Sequence, residues 1–400
     1  MLVSPLNEID AYTLSKIGVL NFTGIIPSDS GILLSDAVRL FDSAAENDES
    51  LLQGFSEINL KVIHAIANLP RFSSLFVSDY MRTIDEKEDR QFSALTIVLP
   101  DGTRFVTFRG TDDYLVSWKE DLMLAVQDTI PSHADALFYL QKQCMKSFSP
   151  IIVSGHSKGG NLAVHAAMML PSEYQDQILS VFNFDGPGFR YDLNTLDEFQ
   201  RIKAKVRKYV SQQSIVGRLL ISESIPTIVH TDETGWRAHN GFNWDIDTIC
   251  FTPDKEFSST SNALQAGFNN SVEAIPEDRR KDFLDEFFNT LYENDVHTLT
   301  ELNRKKLQEL SSQAPEVYRS AEVKALISTL SKGYLQETVA NMVSSLPSAP
   351  KPKLQRAKRS RLHRKNEAKL DEADSEHNNS EVNEDVTHVE NASENDLQNS

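Results

Sequence analysis

Residues 151–170 constrain this chain more than any other stretch. Ile151-Ile152-Val153 predicts a short buried strand. Gly155-His156-Ser157-Lys158-Gly159 follows, with Leu162, Ala163, Ala166, Ala167 and Leu170 at helical spacing. A strand, a Gly-x-Ser-x-Gly turn and a helix together make a nucleophile elbow. The turn forces the serine into a strained backbone conformation and tolerates little bulk two residues to either side, which Gly155 and Gly159 satisfy. The hydroxyl then projects beside the free N–H groups of a helix start. The alternative is a tight turn whose Ser157 only caps the helix.

The rest of the chain supplies the setting. Residues 7–85 read as mostly helical, with Leu14, Ile17, Leu20 and later Leu60, Ile63, Ile66 at helical spacing up to Pro70. Residues 94–99 and 104–108 predict a hairpin across Pro100-Asp101-Gly102. Residues 132–146 predict a helix, and 180–184, 206–210 and 226–230 further short strands. Strands alternating with helices imply a mostly parallel sheet covered on both faces, with its chemistry at the carboxyl ends of the strands. The expected class is therefore α/β. The expected division is a helical N-terminal part (1–90), a core (91–275), a helical extension (276–345) and a disordered tail (346–400). Phe283, Phe287, Phe288 and Leu291 form one stripe of that extension, and Val323, Leu326 and Leu330 another.

Charge and cysteine content narrow the function. The net charge of −18 argues against general nucleic-acid binding. Cys144 and Cys250 alone make neither a disulfide framework nor a zinc site. The N-terminal residues lack the basic start and apolar run of a signal peptide, and no apolar run approaches a bilayer span. A cytoplasmic protein is expected. Residues 351–369 are basic and 371–396 only acidic, a pattern that stays solvated. The basic stretch is a candidate for contact with an anionic membrane; the alternative is a self-neutralising tail.

A serine nucleophile needs donors where negative charge develops. The backbone N–H of Lys158 is one. Thr111, after the strand 104–108 and beside Gly110, is expected to supply another through its N–H or its hydroxyl, the alternative being an ordinary strand end with Arg109 exposed.

Phe108-Arg109-Gly110-Thr111, Trp118, Asp121-Leu122 and Gly155–Ala163 together resemble a class 3 lipase core. The chain is most similar to the bacterial lipase-like proteins of the DUF2974 family. Gln91–Ala94, Phe184-Asp185-Gly186-Pro187-Gly188-Phe189 and Gln213–Leu220 carry that similarity. The resemblance covers roughly residues 7–250. It implies an α/β-hydrolase fold and a serine hydrolase of acyl esters, with no cofactor or metal.

The base is expected after the last strand of the sheet. His239 lies in such a loop, and its His-x-x-x-x-Trp spacing recurs in the similar bacterial set; His230 is second. In class 3 lipases the resemblance places the acid where this chain has Ser214, which cannot hold charge. Asp185 is the best substitute, against its reading as a turn former in Asp-Gly-Pro-Gly. Asp232 and Asp245 are lesser candidates. His156 and Lys158 are given no acid–base role, Lys158 a place at the pocket entrance, and Asn161 a structural role. Chemically, the chain is expected to cleave carboxylic esters through an acyl-enzyme. A catalytically silent scaffold binding a lipid or a protein is the alternative.

Overall fold

The computed structural model describes residues 5–27, 30–52, 57–273, 275–298 and 301. The expected helical stripe at Val323–Leu330, the basic stretch 351–369 and the tail lie outside the described residues.

The helices are α1 (Glu8–Ile17), α2 (Leu34–Ala45), α3 (Glu57–Asn68), α4 (Leu115–Met123), α5 (Pro131–Lys146) and α6 (Lys158–Met169). They continue with α7 (Ser172–Gln175), α8 (Asp197–Ile202), α9 (Trp236–His239), α10 (Ser259–Glu273) and α11 (Glu277–Tyr292). Eight strands form one sheet in chain order: β1 (Ile32–Leu33), β2 (Phe76–Asp85), β3 (Arg90–Val98), β4 (Arg104–Phe108), β5 (Ile151–His156), β6 (Ile178–Phe184), β7 (Val206–Ser211) and β8 (Thr227–Val229). β1 to β4 pair antiparallel; β4 to β8 pair parallel. β9 (Ile246–Asp247) and β10 (Cys250–Phe251) form a small separate hairpin.

The sheet separates two apolar layers. Val106, Phe108, Val153 and Val181 face a core shared with α4, α5, α6 and α11. Phe105, Leu95, Ile97 and Phe184 face the other, built on α1, α2 and α3. This is an α/β-hydrolase fold. The parities follow the period-2 alternation of strands.

One expectation fails in the N-terminal part. It is not mostly helical, because β1 and the ten residues of β2 belong to the sheet. β2 hides from periodicity because its register shifts between Ser78 and Met81, and Asp79 takes a positive φ of 56°. Such a bulge breaks the alternation that marks a strand.

The layer of α5 and α6 holds two stacked buried imidazoles. The rings of His133 and His165 lie 3.8 Å apart and nearly parallel. His133 Nδ1 accepts the Ile130 N–H, so its Nε2–H donates to Asn161 Oδ1 at 2.7 Å. Burial pushes His133 down to about 4 and His165 well below its ordinary value. Both therefore stay neutral when folded, while the unfolded chain takes up protons near pH 6.5. Stability should be full above that pH and fall as the solution is acidified toward 4. The slope is up to about 1.4 kcal/mol per pH unit for each histidine. Urea midpoints at pH 7, 6 and 5 check this, and His133→Gln should flatten the profile; an unchanged midpoint at pH 5 would refute it.

Candidate active site

β5 ends at His156 and α6 begins at Lys158, so Ser157 alone makes the turn. Its backbone sits at φ 59° and ψ −133°. Such a conformation costs a non-glycine residue roughly 1–3 kcal/mol and persists only where the surroundings hold it. Here the Ser157 N–H donates to the Phe184 carbonyl at 3.0 Å. A side chain at Gly159 would collide with the Phe108 carbonyl, which explains the small residue there. Ser157 is 4% exposed.

Asp185 repeats this geometry one strand over. His156 and Phe184 are partners in the β5–β6 register, so Ser157 and Asp185 leave neighbouring strand ends together. Asp185 also has a positive φ, 52°. It is fully buried, and its Oδ2 lies 2.6 Å from His239 Nδ1. A carboxylate at Nδ1 fixes the tautomer with the proton on Nδ1 and leaves Nε2 as the basic nitrogen.

The loop carrying His239 is tied to the elbow. The His239 carbonyl accepts from His156 Nε2 at 2.7 Å, and the two rings are 4.4 Å apart. Trp244 Nε1 donates to the Ala238 carbonyl at 2.8 Å, which gives the His-x-x-x-x-Trp spacing a physical meaning. Nothing in the chain order singles out Tyr12 of α1. Its hydroxyl accepts the Gly241 N–H at 2.7 Å and donates to Asn240 Oδ1 at 3.1 Å. Its ring meets His156 edge-on at 5.6 Å and stacks on Trp244 at 5.7 Å. Burial raises the Tyr12 hydroxyl well above the ordinary tyrosine range, so it stays a neutral donor. An N-terminal helix thus braces a loop more than two hundred residues away.

The other candidates fall elsewhere. His230 Nδ1 pairs with Asp245 Oδ2 at 2.8 Å on the surface, the pair being 38% and 49% exposed. Asp232 is exposed. Ser214 is a turn residue: its Oγ accepts the Gly217 N–H at 3.0 Å, and its carbonyl accepts from the Ser261 hydroxyl. Asn161 is structural, bonding His133 and the Gly188 carbonyl.

On the oxyanion side the structure narrows the role of Thr111, corrects the placement of Lys158 and rules out the exposed Arg109. Gly110 does bring its loop to the elbow: a Cβ there would lie 3.1 Å from Ser157 Cβ. The Thr111 hydroxyl, however, donates to Asp121, leaving the backbone as its contribution to the cleft. Burial pushes Asp121 up to about 7, against the pull of Lys158. Lys158 does not reach the pocket entrance. Its side chain is fully buried and its Nζ donates to Glu120 Oε2 at 2.7 Å and Gln91 Oε1 at 2.6 Å. Its N–H, at the first position of α6, has no intrahelical acceptor. Arg109 is 5% exposed, not a surface residue, and meets Asp112 at 3.7 Å. Among the described residues no group of three or more His, Cys, Asp or Glu is placed to hold a metal ion. Among them, too, no helix is long and apolar enough to cross a membrane.

A strained serine at a strand-to-helix elbow, with a buried His–Asp pair at the neighbouring strand end, defines a hydrolase-type α/β protein. The chain belongs to the Mbeg1-like family, whose model matches residues 66–289. No curated protein matches it. Among solved structures it resembles a Penicillium cyclopium MDLA mutant, at 13% identity and a TM-score of 0.36 over 63% of this chain and 87% of that one. The M37 lipase resembles it at 13% identity and a TM-score of 0.32, over 66% and 81%. At those scores neither bears on substrate or site. The general reading is a lipase- or esterase-type hydrolase.

Proposed function

We propose that this protein is a serine hydrolase of carboxylic acyl esters, with Ser157 as nucleophile, His239 as base and Asp185 as the acid that orients it. The 2.6 Å contact between Asp185 and His239, beside the strained Ser157, carries the reading. Ser157 Oγ attacks the acyl carbon and its proton passes to His239 Nε2. The N–H groups of Lys158 and Thr111 receive the oxyanion. Collapse breaks the ester bond, and the leaving alcohol takes the proton from His239. Water, deprotonated by His239, then attacks the acyl-Ser157 carbonyl and releases the acid. No metal or organic cofactor enters these steps. The closer kinship to the DUF2974 proteins, a cytoplasmic location and membrane contact through residues 351–369 belong to the same proposal; nucleic acid does not.

A fluorophosphonate probe tests it. Wild type should be labelled, Ser157→Ala should not be, and His239→Ala should label at least a hundredfold more slowly. Folded wild type that stays unlabelled, with and without detergent micelles, would overturn the proposal in favour of a silent scaffold.

A further inference from the structure

Beside Asp185, on the α6 face of the sheet, lies a buried ion pair that the proposed chemistry does not use. Strand parity places its surroundings. Phe182 and Phe184 of β6 and Tyr209 of β7 pack in the α1 layer, so Asn183 and Lys208 turn to the opposite face. The β6–β7 register makes these two direct neighbours. Glu223 reaches over both. Its Oε2 accepts from Lys208 Nζ at 2.9 Å and its Oε1 accepts from Asn183 Nδ2 at 2.8 Å. All three residues are buried.

A further link runs to the site. Asn183 Oδ1 accepts the Gly186 N–H at 2.9 Å, on the peptide that joins Asp185 to Gly186. The Asp185 N–H donates to the Tyr209 carbonyl at 2.8 Å, so Asp185 is gripped on both sides. Its φ of 52° persists only where neighbours hold it in this way. Space around the amide is tight: a Cβ at Gly160 of α6 would lie 2.2 Å from Asn183 Oδ1, and one at Gly186 2.4 Å. The segment leading to Glu223 is itself bound to the turn. The Gly188 N–H donates to the Leu219 carbonyl at 2.9 Å, and Phe189 and Ile221 exchange backbone bonds at 2.8 Å.

A carboxamide has two ends of similar shape, one donating and one accepting. The Gly186 N–H needs the accepting end. Glu223 enforces that choice, because a carboxylate accepts and does not donate. With no acceptor at that place, a half-turn of the Asn183 amide would aim its NH₂ at the Gly186 N–H and displace the turn that carries Asp185. Displacements of about 1 Å near a reacting centre can cost a hundredfold in rate. We infer that Glu223, acting through Asn183, is a positioning residue for Asp185, and that Lys208 holds its second oxygen. The inference rests on Asp185 as the catalytic acid only for its effect on rate; the Asp185–His239 bond can be observed without turnover.

The experiment compares two variants that carry no ion pair. Both contain Lys208→Met, since replacing Glu223 alone would leave a buried ammonium unpaired. One adds Glu223→Leu, which removes the acceptor; the other adds Glu223→Gln, which keeps one. Circular dichroism and melting temperature establish that each is folded. Hydrolysis of 4-nitrophenyl butyrate gives the rate. The far-downfield NMR resonance of the His239 Nδ1 proton, assigned by its absence in His239→Ala, reports the bond to Asp185. With Glu223→Leu, kcat should fall at least tenfold with KM within threefold, and the resonance should broaden or vanish. With Glu223→Gln, at least fivefold of that loss should be recovered and the resonance should return. A role confined to filling or neutralising the core predicts the same behaviour for both. Wild-type kcat and resonance with Glu223→Leu, or equal losses in the two variants, would overturn the inference. Gly160→Ala displaces the same amide from the α6 side with the ion pair intact, which serves if the Glu223→Leu variant does not fold. Folded Gly160→Ala protein with kcat and resonance unchanged would overturn the inference as well. A resonance that Glu223→Leu removes and Glu223→Gln restores, in a protein that cleaves no ester, would defeat the hydrolase reading and leave the positioning role standing.

Discussion

Asp185→Asn is expected to lower kcat by roughly 10³–10⁴-fold with little change in KM, the loss seen when a triad carboxylate is replaced by its isosteric amide. The cause is the tautomer. Asp185 Oδ2 accepts from His239 Nδ1, which leaves Nε2 ready for the Ser157 proton. An amide NH₂ at that place donates to Nδ1 instead, moves the imidazole proton to Nε2 and removes the charge that stabilises an imidazolium. The backbone at Asp185 has φ 52°, a conformation that Asn tolerates well, so folding should survive. The same carboxylate explains Gly217: a Cβ there would collide with Asp185 Oδ1. Gly217→Ala should therefore cost activity through His239 orientation. Steady-state kinetics on a 4-nitrophenyl ester checks both variants. Activity of Asp185→Asn within threefold of wild type would return Asp185 to the role of a turn former.

Removing the carboxylate beneath the elbow should produce the largest loss of stability. Glu120 Oε2 pairs with Lys158 Nζ, both side chains being wholly buried. Glu120 also accepts the Ser132 N–H at 2.8 Å, the Gln91 N–H at 3.2 Å and the Ser132 hydroxyl. Glu120→Ala leaves an ammonium in the core with only Gln91 to bond, and breaking a buried pair in this way costs about 3–5 kcal/mol. Replacing both partners, Glu120→Leu with Lys158→Met, removes the orphan charge and should recover most of that loss. Urea unfolding of the single and double variants measures it. A loss below about 1 kcal/mol in Glu120→Ala would mean that water reaches Lys158 and hydrates it.

These two variants mark where reading from sequence succeeds and where it stops. The elbow was legible because its cause is local. A strand, a strained serine with glycines at two residues either side and a helix are consecutive in the chain, and steric rules act on consecutive residues. The strands of the core were legible from their short apolar runs, whereas β2 was not, because a bulge interrupts its alternation. His239 stood out by its position after the last strand of the sheet, and the Trp244 spacing proved to be a hydrogen bond.

What joins distant segments was not legible. Asp185 and His239 are 54 residues apart, Tyr12 and Gly241 are 229 apart, and Lys158 and Gln91 are 67 apart. Sequence left Asp185 evenly balanced between an acid and a turn residue, because Asp-Gly-Pro-Gly suits both. The β5–β6 register and the loop bound to Tyr12 bring that carboxylate to the imidazole of His239. Lys158 was misplaced because a helix start says nothing about which charge waits beneath it; Glu120 on α4 draws it inward. The alternative of an exposed Arg109 at an ordinary strand end fails because the packed sheet buries it. By itself the sequence determined the elbow, the class of fold and the residue types available for chemistry, all set by short-range sterics and hydrophobic period. The choice of partners among those residues came only with tertiary packing, because a hydrogen bond or ion pair depends on distances that the chain order does not contain.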